Sequence, residues 1–332
     1  MKPAPLAVSL GDPAGVGPEL LVEAWARRAA EQLVPFFAVG GAELLAAAAA
    51  RRGIPLQIAR VDDPAQAAAA FATALPVLGA LDGSYRPGEP DKAGATLALA
   101  SLTEAARLAV SGKASGLVTG PIAKARLAEA GFTHPGQTEF VAAACGVPEQ
   151  DAVMMLAGPS LRTVPLTVHV ALADVPTLLT SELIVRRASI VAAALHSDFG
   201  IAAPRLAIAG LNPHAGENGR MGAEEAQIIA PAVAALRAMG IDATGPHAAD
   251  ALFAAHQRGT YDAAICMYHD QALIPLKTLD FDCGVNVTLG LPVVRTSPDH
   301  GTGFAIAGTG KASAGPIIAA IRMAGDCAAR RA

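Results

Sequence analysis

The stretch LAVSLGDPAGVGPE at residues 6–19 joins an apolar run to a glycine-rich turn. The run 6–10 is typical of a buried strand, and Pro18 suits the first turn of a following helix. Because the glycines lie at positions 11, 15 and 17, the turn lacks the Gly-x-Gly-x-x-Gly spacing of a dinucleotide fingerprint. Two interpretations have equal weight: a turn that presents backbone N–H groups to an anion, and a plain strand-to-helix turn.

The same alternation of short apolar runs and alanine-rich helical stretches continues along the chain. Further apolar runs lie at 36–39, 116–119, 205–211 and 263–268, and helical periodicity is clear at 93–110 and 181–196. Strands that alternate with helices in this way predict an α/β protein, with a sheet of substantial parallel character and helices on its faces.

The composition is that of a folded protein without a membrane or nucleic-acid partner. Hydrophobic residues make up 52% of the 332 residues, charged residues make up 16%, and the net charge is −4 without a basic tract. No window reaches the about 18 apolar residues of a membrane-spanning helix, and the N-terminal apolar run is too short for a signal peptide. The four cysteines are far apart, which predicts reduced thiols in a cytoplasmic protein.

Three of the eight histidines directly follow or close strongly apolar runs: His169, His214 and His269. Neutral imidazole is the commonest metal ligand, and a site of three histidines leaves coordination positions open for a substrate. Any one of these histidines alone is better explained as a structural or capping residue. Three in the same topological position favour a metal site, although their spacing is not local and by itself proves nothing.

Polar residues that follow His269 suggest what such a site binds. Asp270 comes directly after it, and its carboxylate would orient a ligand, act as a base, or simply cap the next helix. Further along, Lys277, Asn286 and Arg295 stand in apolar surroundings. Together they suit an anionic, phosphorylated substrate, whereas each alone is more often a surface residue.

Six motifs, taken in order, resemble those of the 4-hydroxythreonine-4-phosphate dehydrogenase family. They are GDPAGVGPE at 11–19, VTGPIAK at 118–124, NPHAGENG at 212–219, MYHDQ at 267–271, GVNVTLGLP at 284–292 and RTSPDHGT at 295–302. The resemblance covers about residues 6–326. It implies an oxidoreductase of pyridoxine (vitamin B6) biosynthesis that uses NAD and a divalent metal.

The resemblance also implies an architecture of two α/β/α domains, as in isocitrate and isopropylmalate dehydrogenases, with the active site in the interdomain cleft. Residues 1–122 plus 282–332 would form the first domain, on the cofactor side. Residues 123–281 would form the second, with the metal site and the dimer interface. The expected partner is a second copy of the chain in a homodimer whose metal site is shared across subunits.

Site residues follow from the matching motif positions. The metal ligands are His169, His214 and His269, and they would hold one divalent ion such as zinc, cobalt or magnesium. The substrate-binding residues are Gln137, Thr138, Lys277, Asn286 and Arg295. The candidates for the catalytic base are Asp270 and Asp250. By comparison with isopropylmalate dehydrogenases, NAD or NADP would lie along the loop that carries Asp299, His300, Gly301 and Thr302.

The implied reaction is the oxidation of 4-phosphohydroxy-L-threonine to 2-amino-3-oxo-4-phosphooxybutanoate, which decarboxylates to 3-amino-2-oxopropyl phosphate. One departure bears on the substrate: Gln137 stands where the family has histidine, and glutamine cannot become cationic. The alternative substrate is therefore a related phosphorylated four-carbon acid, 4-phospho-erythronate or -threonate. A metal-dependent hydrolase or lyase without NAD, and a non-catalytic phospho-ligand binding protein, are the alternatives from other classes.

Overall fold

The computed structural model describes residues 3–332 and divides into two compact units. Unit 1 comprises Met1–Glu149 and Leu291–Ala332, and unit 2 comprises Gln150–Gly290. In both units strands alternate with helices, so the predicted α/β class is confirmed.

Unit 2 interrupts unit 1 in the chain, so the helices and strands of unit 1 come partly before and partly after it. Its strands are β1 Leu6–Ser9, β2 Phe36–Val39, β3 Ile58–Val61, β4 Leu75–Leu78, β5 Gly116–Thr119 and β12 Val294–Pro298. Its helices are α1 Gly17–Ala26, α2 Ala42–Arg52, α3 Pro64–Ala70, α4 Lys92–Val110, α5 Lys124–Glu129, α6 Gln137–Ala144 and α13 Gly315–Arg331.

The strands of unit 1 lie in the order β3-β4-β2-β1-β5-β12, and every pair in this order is parallel. Helices α4 and α13 pack on the central strands β1 and β5. Ser101, fully buried on α4, accepts a hydrogen bond from the Leu10 N–H (3.0 Å) and donates one to the Val39 carbonyl (2.7 Å). This hydroxyl keeps the two backbone groups satisfied where β1 and β2 end.

Local sequence explains where several of these elements start and stop. Asp63 and Gln66 form a capping box at the start of α3, and the Asp91 carboxylate accepts from the Gly94 N–H (2.7 Å) at the start of α4. Helix α2 ends at Gly53, whose φ of 64° is the left-handed conformation that glycine adopts without a Cβ penalty.

Unit 2 carries a mixed sheet in the order β11-β6-β7-β10-β8-β9. Its strands are β6 Val153–Ala157, β7 Arg162–Pro165, β8 Arg205–Ala209, β9 Asp242–His247, β10 Ala263–Cys266 and β11 Val285–Leu289. Its helices are α7 Val175–Leu178, α8 Ser181–Ser197, α9 Ala230–Ala238, α10 Ala249–Leu252, α11 Ala255–Arg258 and α12 His269–Asp280. Strands β7, β10, β8 and β9 run parallel, whereas β6 is antiparallel to both β11 and β7.

The boundaries between the units differ from those drawn on the sequence. The first lies at 149/150 and not at 122/123, and the second lies at 290/291 and not at 281/282. The reason for the first shift is packing, because the chain after residue 123 contributes Leu127 and Phe132 to a buried cluster with Ala98 and Leu102 of α4. Helices α5 and α6 thereby belong to unit 1.

No helix within residues 3–332 combines the length and the apolar character that crossing a membrane requires.

Candidate functional site

The three histidines of interest follow three neighbouring strands of unit 2. His169 comes after β7, His214 after β8 and His269 after β10, and β10 pairs in parallel with both β7 and β8. Carboxyl ends of adjacent parallel strands meet at one edge of a sheet, where α/β proteins bind ligands. The topology therefore places all three side chains at the ligand-binding edge of unit 2.

His169 and His269 lie side by side, with their ring centroids 5.8 Å apart. The Asp270 carboxylate is 2.7 Å from Nδ1 of His269, so Nδ1–H donates to it. In a neutral ring that bond leaves Nε2 of His269 available as a ligand, which is how metal-binding histidines are commonly oriented. Helix α12 starts at His269 with Tyr268 in the N-cap position, so the capping interpretation of Asp270 is wrong.

Lys277 joins this pair through the helix that begins at His269. Residues at spacings of four share a helix face, and His269, Leu273 and Lys277 have this spacing. One recess is lined by these three residues together with Asp270, Ile274 and Thr278. A second recess on the other side of His269 includes His169, Thr167 and Leu172.

His214 occupies a different and strained segment. The backbone is left-handed at five successive residues, 214–218, and four of them are not glycine. Each such residue costs about 1–2 kcal/mol, so the conformation persists only where surrounding contacts impose it. His169 also has a positive φ, 54°, so two of the three candidate metal ligands are held in this uncommon conformation.

The single chain does not bring His214 to the other two histidines. Within residues 3–332, no group of three or more His, Cys, Asp or Glu side chains is arranged to hold a metal ion. Asp250 lies exposed on the short helix α10, which packs against the 213–219 segment. Unit 2 therefore carries two groups, one around His169, His269 and Asp270, and one around His214 and Asp250.

Gln271 connects the strand ends that carry these two groups, and sequence reasoning missed it. Its side-chain oxygen accepts from the Met267 N–H (2.6 Å) and its amide nitrogen donates to the Gly210 carbonyl (2.7 Å). The side chain is 7% exposed. A glutamine in the first turn of the helix that directly follows the buried strand β10 was the available signal, because a buried amide needs partners.

In unit 1 the structure brings together Arg295 on β12 and Thr138 on α6, which are 157 positions apart. The Arg295 guanidinium donates to Thr138 Oγ1 (3.4 Å) and to Thr119 Oγ1 at the end of β5 (2.7 Å). Arg295 is 3% exposed, and burial lowers its pKa to about 10 while the nearby Glu139 carboxylate opposes that change. The side chain is therefore still cationic at neutral pH. Thr119 was not among the predicted residues, although its motif was.

Gln137 lies next to this group, at the first position of α6. Its amide nitrogen donates to the Gly120 carbonyl (3.1 Å), while its amide oxygen is buried without a hydrogen-bond partner. Gly120 itself admits no side chain, because a Cβ there would lie 2.6 Å from the Gly11 nitrogen. The loops after β1 and β5 thus meet closely beside Gln137.

The loop that carries Asp299, His300, Gly301 and Thr302 follows β12 and contacts the glycine-rich turn after β1. The Thr302 carbonyl accepts from the Val16 N–H (2.8 Å), and Nδ1 of His300 donates to the Gly301 carbonyl (2.9 Å). Nε2 of His300 is left as a buried acceptor without a partner. An orphaned acceptor of this kind fits a hydroxyl or amide donor of a nucleotide.

The glycine-rich turn itself is not free to bind an anion at most of its amides. The N–H groups of Asp12, Gly15 and Val16 donate to backbone carbonyls, and that of Ala14 donates to the Asp12 carboxylate (3.0 Å). The plain strand-to-helix turn is the interpretation that these bonds favour.

The predicted substrate residue Asn286 belongs to unit 2. It lies on β11 opposite Leu156, its amide nitrogen is 3.3 Å from Met154 Sδ, and its buried oxygen has no hydrogen-bond partner.

Known proteins resemble this chain over nearly its whole length. The sequence model of the pyridoxal phosphate biosynthetic protein PdxA matches residues 32–324. A protein of Erythrobacter litoralis named 4-hydroxythreonine-4-phosphate dehydrogenase is 64% identical over 328 residues, covering 99% of this chain and 98% of its own. One of the same name from Zymomonas mobilis is 52% identical over 98% of this chain and 96% of its own.

A solved structure shows the same fold. The crystal structure of 4-hydroxythreonine-4-phosphate dehydrogenase from Klebsiella pneumoniae superposes with a TM-score of 0.85 at 37% identity, over 98% of this chain and 99% of that one. These matches extend over nearly all of unit 1 and unit 2. The chain therefore belongs to the family of the pyridoxal phosphate biosynthetic protein PdxA, and it is a dehydrogenase of that family.

Proposed function

We propose that the chain oxidises 4-phosphohydroxy-L-threonine with NAD, in the cytoplasm, as a step of pyridoxal 5'-phosphate synthesis. The product 2-amino-3-oxo-4-phosphooxybutanoate then loses carbon dioxide to give 3-amino-2-oxopropyl phosphate. The observation that carries the proposal is the pairing of His169 with His269, whose Nδ1 is held by the Asp270 carboxylate. Supporting it is the second pairing, of Arg295 with Thr138, in unit 1.

The donor set fits a divalent ion. Two imidazoles lie together, and one of them is fixed by a carboxylate so that Nε2 faces outward as a ligand. A divalent ion held by His169, His269 and a third histidine would polarise the substrate alcohol, and NAD would accept the hydride from the same carbon. Zinc, cobalt and magnesium all remain compatible with this role.

The protein's own residues would accept the proton and bind the substrate and the cofactor. Asp270 is engaged with His269, which favours an orienting role for it and leaves Asp250 as the candidate base for the alcohol proton. Arg295, with Thr138 and Lys277, would neutralise the anionic ends of the substrate. His300 offers Nε2 to a hydrogen-bond donor of NAD or NADP. Gln137 and Asn286 would complete the contacts with the substrate.

The deciding experiment is a turnover assay with NAD and 4-phosphohydroxy-L-threonine, run beside 4-phospho-erythronate and 4-phospho-threonate. Stoichiometric NADH formation with the first acid, and a smaller kcat/KM with the others, would support the proposal. Product formation without NADH would indicate a hydrolase or lyase instead. A preference for one of the other two acids would favour the alternative substrate, for which the glutamine at position 137 is the specific reason.

Replacing Gln137 by histidine should keep activity and make substrate affinity depend on pH. An imidazole gains a proton as pH falls through about 6.5, so affinity for an anionic substrate should rise there, whereas wild-type affinity should not. In the control, Gln137→Ala should raise KM by the equivalent of about 0.5–1.5 kcal/mol, the value of a neutral hydrogen bond. A changed ratio of kcat/KM between the phosphorylated acids would instead make this position a selector of substrate.

We further propose that two copies of the chain form a homodimer and share each metal site. Apolar side chains beside His169 and His269 are unusually exposed, among them Leu172 (65%) and Ile274 (62%). A surface of this kind marks a protein–protein interface. A second copy would cover it and could supply the partner's His214, which the single chain does not bring to the pair.

Mixing inactive variants should test the shared site. If His169 and His269 come from one subunit and His214 from the other, a hybrid of His214→Ala and His269→Ala chains contains one intact site. Random exchange at equal amounts should then recover about a quarter of wild-type activity. The matched control is the mixture of His169→Ala with His269→Ala, which should recover none. Recovery in the control mixture would place these two ligands on different subunits.

A further inference from the structure

The left-handed segment 214–218 that carries His214 needs an external anchor. Ala215, Glu217 and Asn218 have φ values of 52°, 43° and 57°, and none of them is glycine. Four of the five residues in the run carry a Cβ, so it is maintained only where other groups over-determine it. The question is which group does so.

Glu225 supplies the bonds. One of its carboxylate oxygens accepts from the N–H groups of both Leu211 (2.8 Å) and Asn212 (2.7 Å), the residues that enter the segment. The other oxygen accepts from the Asn212 side-chain amide (3.0 Å). Glu225 is 6% exposed, so these bonds are made away from water, where a carboxylate requires them.

The same carboxylate also fits against the middle of the segment. A Cβ added to Gly216, which has a φ of 77°, would lie 2.6 Å from the second oxygen of Glu225. Glycine at this position therefore allows the carboxylate to lie against the segment. No such limit applies to Gly219 (φ 86°), where an added Cβ meets nothing within 4 Å.

We propose that Glu225 is a positioning residue for His214: its carboxylate imposes the left-handed segment and thereby holds the imidazole ready for the divalent ion. The inference rests on the proposed metal-binding role of His214. Glu225 contacts no reacting atom in this account, and it acts only through the backbone that it fixes.

Metal affinity of the apoprotein is the measurement that tests this role, by equilibrium dialysis with Co²⁺ and by the visible absorption of the bound Co²⁺. Glu225→Gln keeps the shape but places an amide N–H opposite groups that are themselves donors. Its Co²⁺ affinity should fall by about 10–100-fold, as for other partners that orient a ligand, with an altered spectrum. The control is Glu224→Gln, because Glu224 reaches only the Asn212 side chain (2.8 Å) and the Ala223 N–H. Its affinity should stay within about twofold of wild type.

A second pair of variants tests whether a general loss of folding explains a lower Co²⁺ affinity. Gly216→Ala and Gly219→Ala impose the same left-handed strain on alanine, but only the former pushes on Glu225. Co²⁺ affinity should fall in Gly216→Ala and stay near wild type in Gly219→Ala.

The outcomes distinguish the proposed metal-binding role of His214 from the proposed positioning role of Glu225. If His214→Ala keeps full Co²⁺ affinity, the proposed metal site is wrong. If His214→Ala loses the ion while Glu225→Gln and Gly216→Ala, both with normal circular dichroism, bind it like wild type, the positioning role of Glu225 is wrong.

Discussion

The His269→Ala variant should lose turnover to the detection limit and should bind its divalent ion far more weakly than wild type. The orientation of His269 is fixed by the Asp270 carboxylate on its Nδ1. Removing a direct ligand should cost more metal affinity than the roughly 10–100-fold that follows from mutating an outer-shell partner. Elemental analysis of purified protein and direct titration with the metal would measure both effects.

The control for this variant is His256→Ala, since His256 is exposed on α11 and belongs to neither histidine group. It should keep both metal content and activity. Full metal occupancy in His269→Ala would show that His269 is not a metal ligand. Its pairing with His169 would then have no role in metal binding.

Replacing Arg295 by methionine should lower kcat/KM by roughly thirtyfold or more, because a buried charge that holds an anion is worth about 2–5 kcal/mol when truncated. The side chain is 3% exposed and donates to Thr119 and Thr138, which fix its direction. The comparison variant Thr138→Val removes a neutral partner only, so its loss should be about tenfold or less. Equal losses in the two variants would contradict a charge-based role.

In the Arg295→Lys variant, the affinity for the anionic substrate should depend on pH. Burial already lowers the pKa of Arg295 to about 10, and it should lower the pKa of a lysine from a smaller starting value. Affinity for the anionic substrate should therefore fall in the lysine variant as pH rises from neutral, because deprotonation removes the cation. Wild-type affinity should hold until pH approaches about 10. Parallel pH profiles in the two proteins would exclude this explanation. Inorganic phosphate should be used as a competing ligand, because it has no amino group whose own titration would change the measured affinity.

Much of the fold could be predicted because its signals are local. Apolar runs at Leu6–Ser9 and Ala263–Cys266 became buried strands, and the alternation with helices identified the class. Strand β7, which precedes His169, ends at Pro165. His169 lies beyond it in a left-handed backbone conformation, which hydrophobic periodicity cannot indicate.

The sequence by itself determined the family and the α/β class and predicted the residue types of the site, since motifs and periodicity are properties of adjacent residues. Tertiary structure alone decided which of those residues meet. Arg295 reaches Thr138 across 157 positions, His169 lies beside His269 while His214 does not, and Glu225 accepts from the backbone of Leu211 and Asn212 ahead of His214. The physical reason is that strand order and helix packing set these distances, and both depend on contacts between residues far apart in the chain.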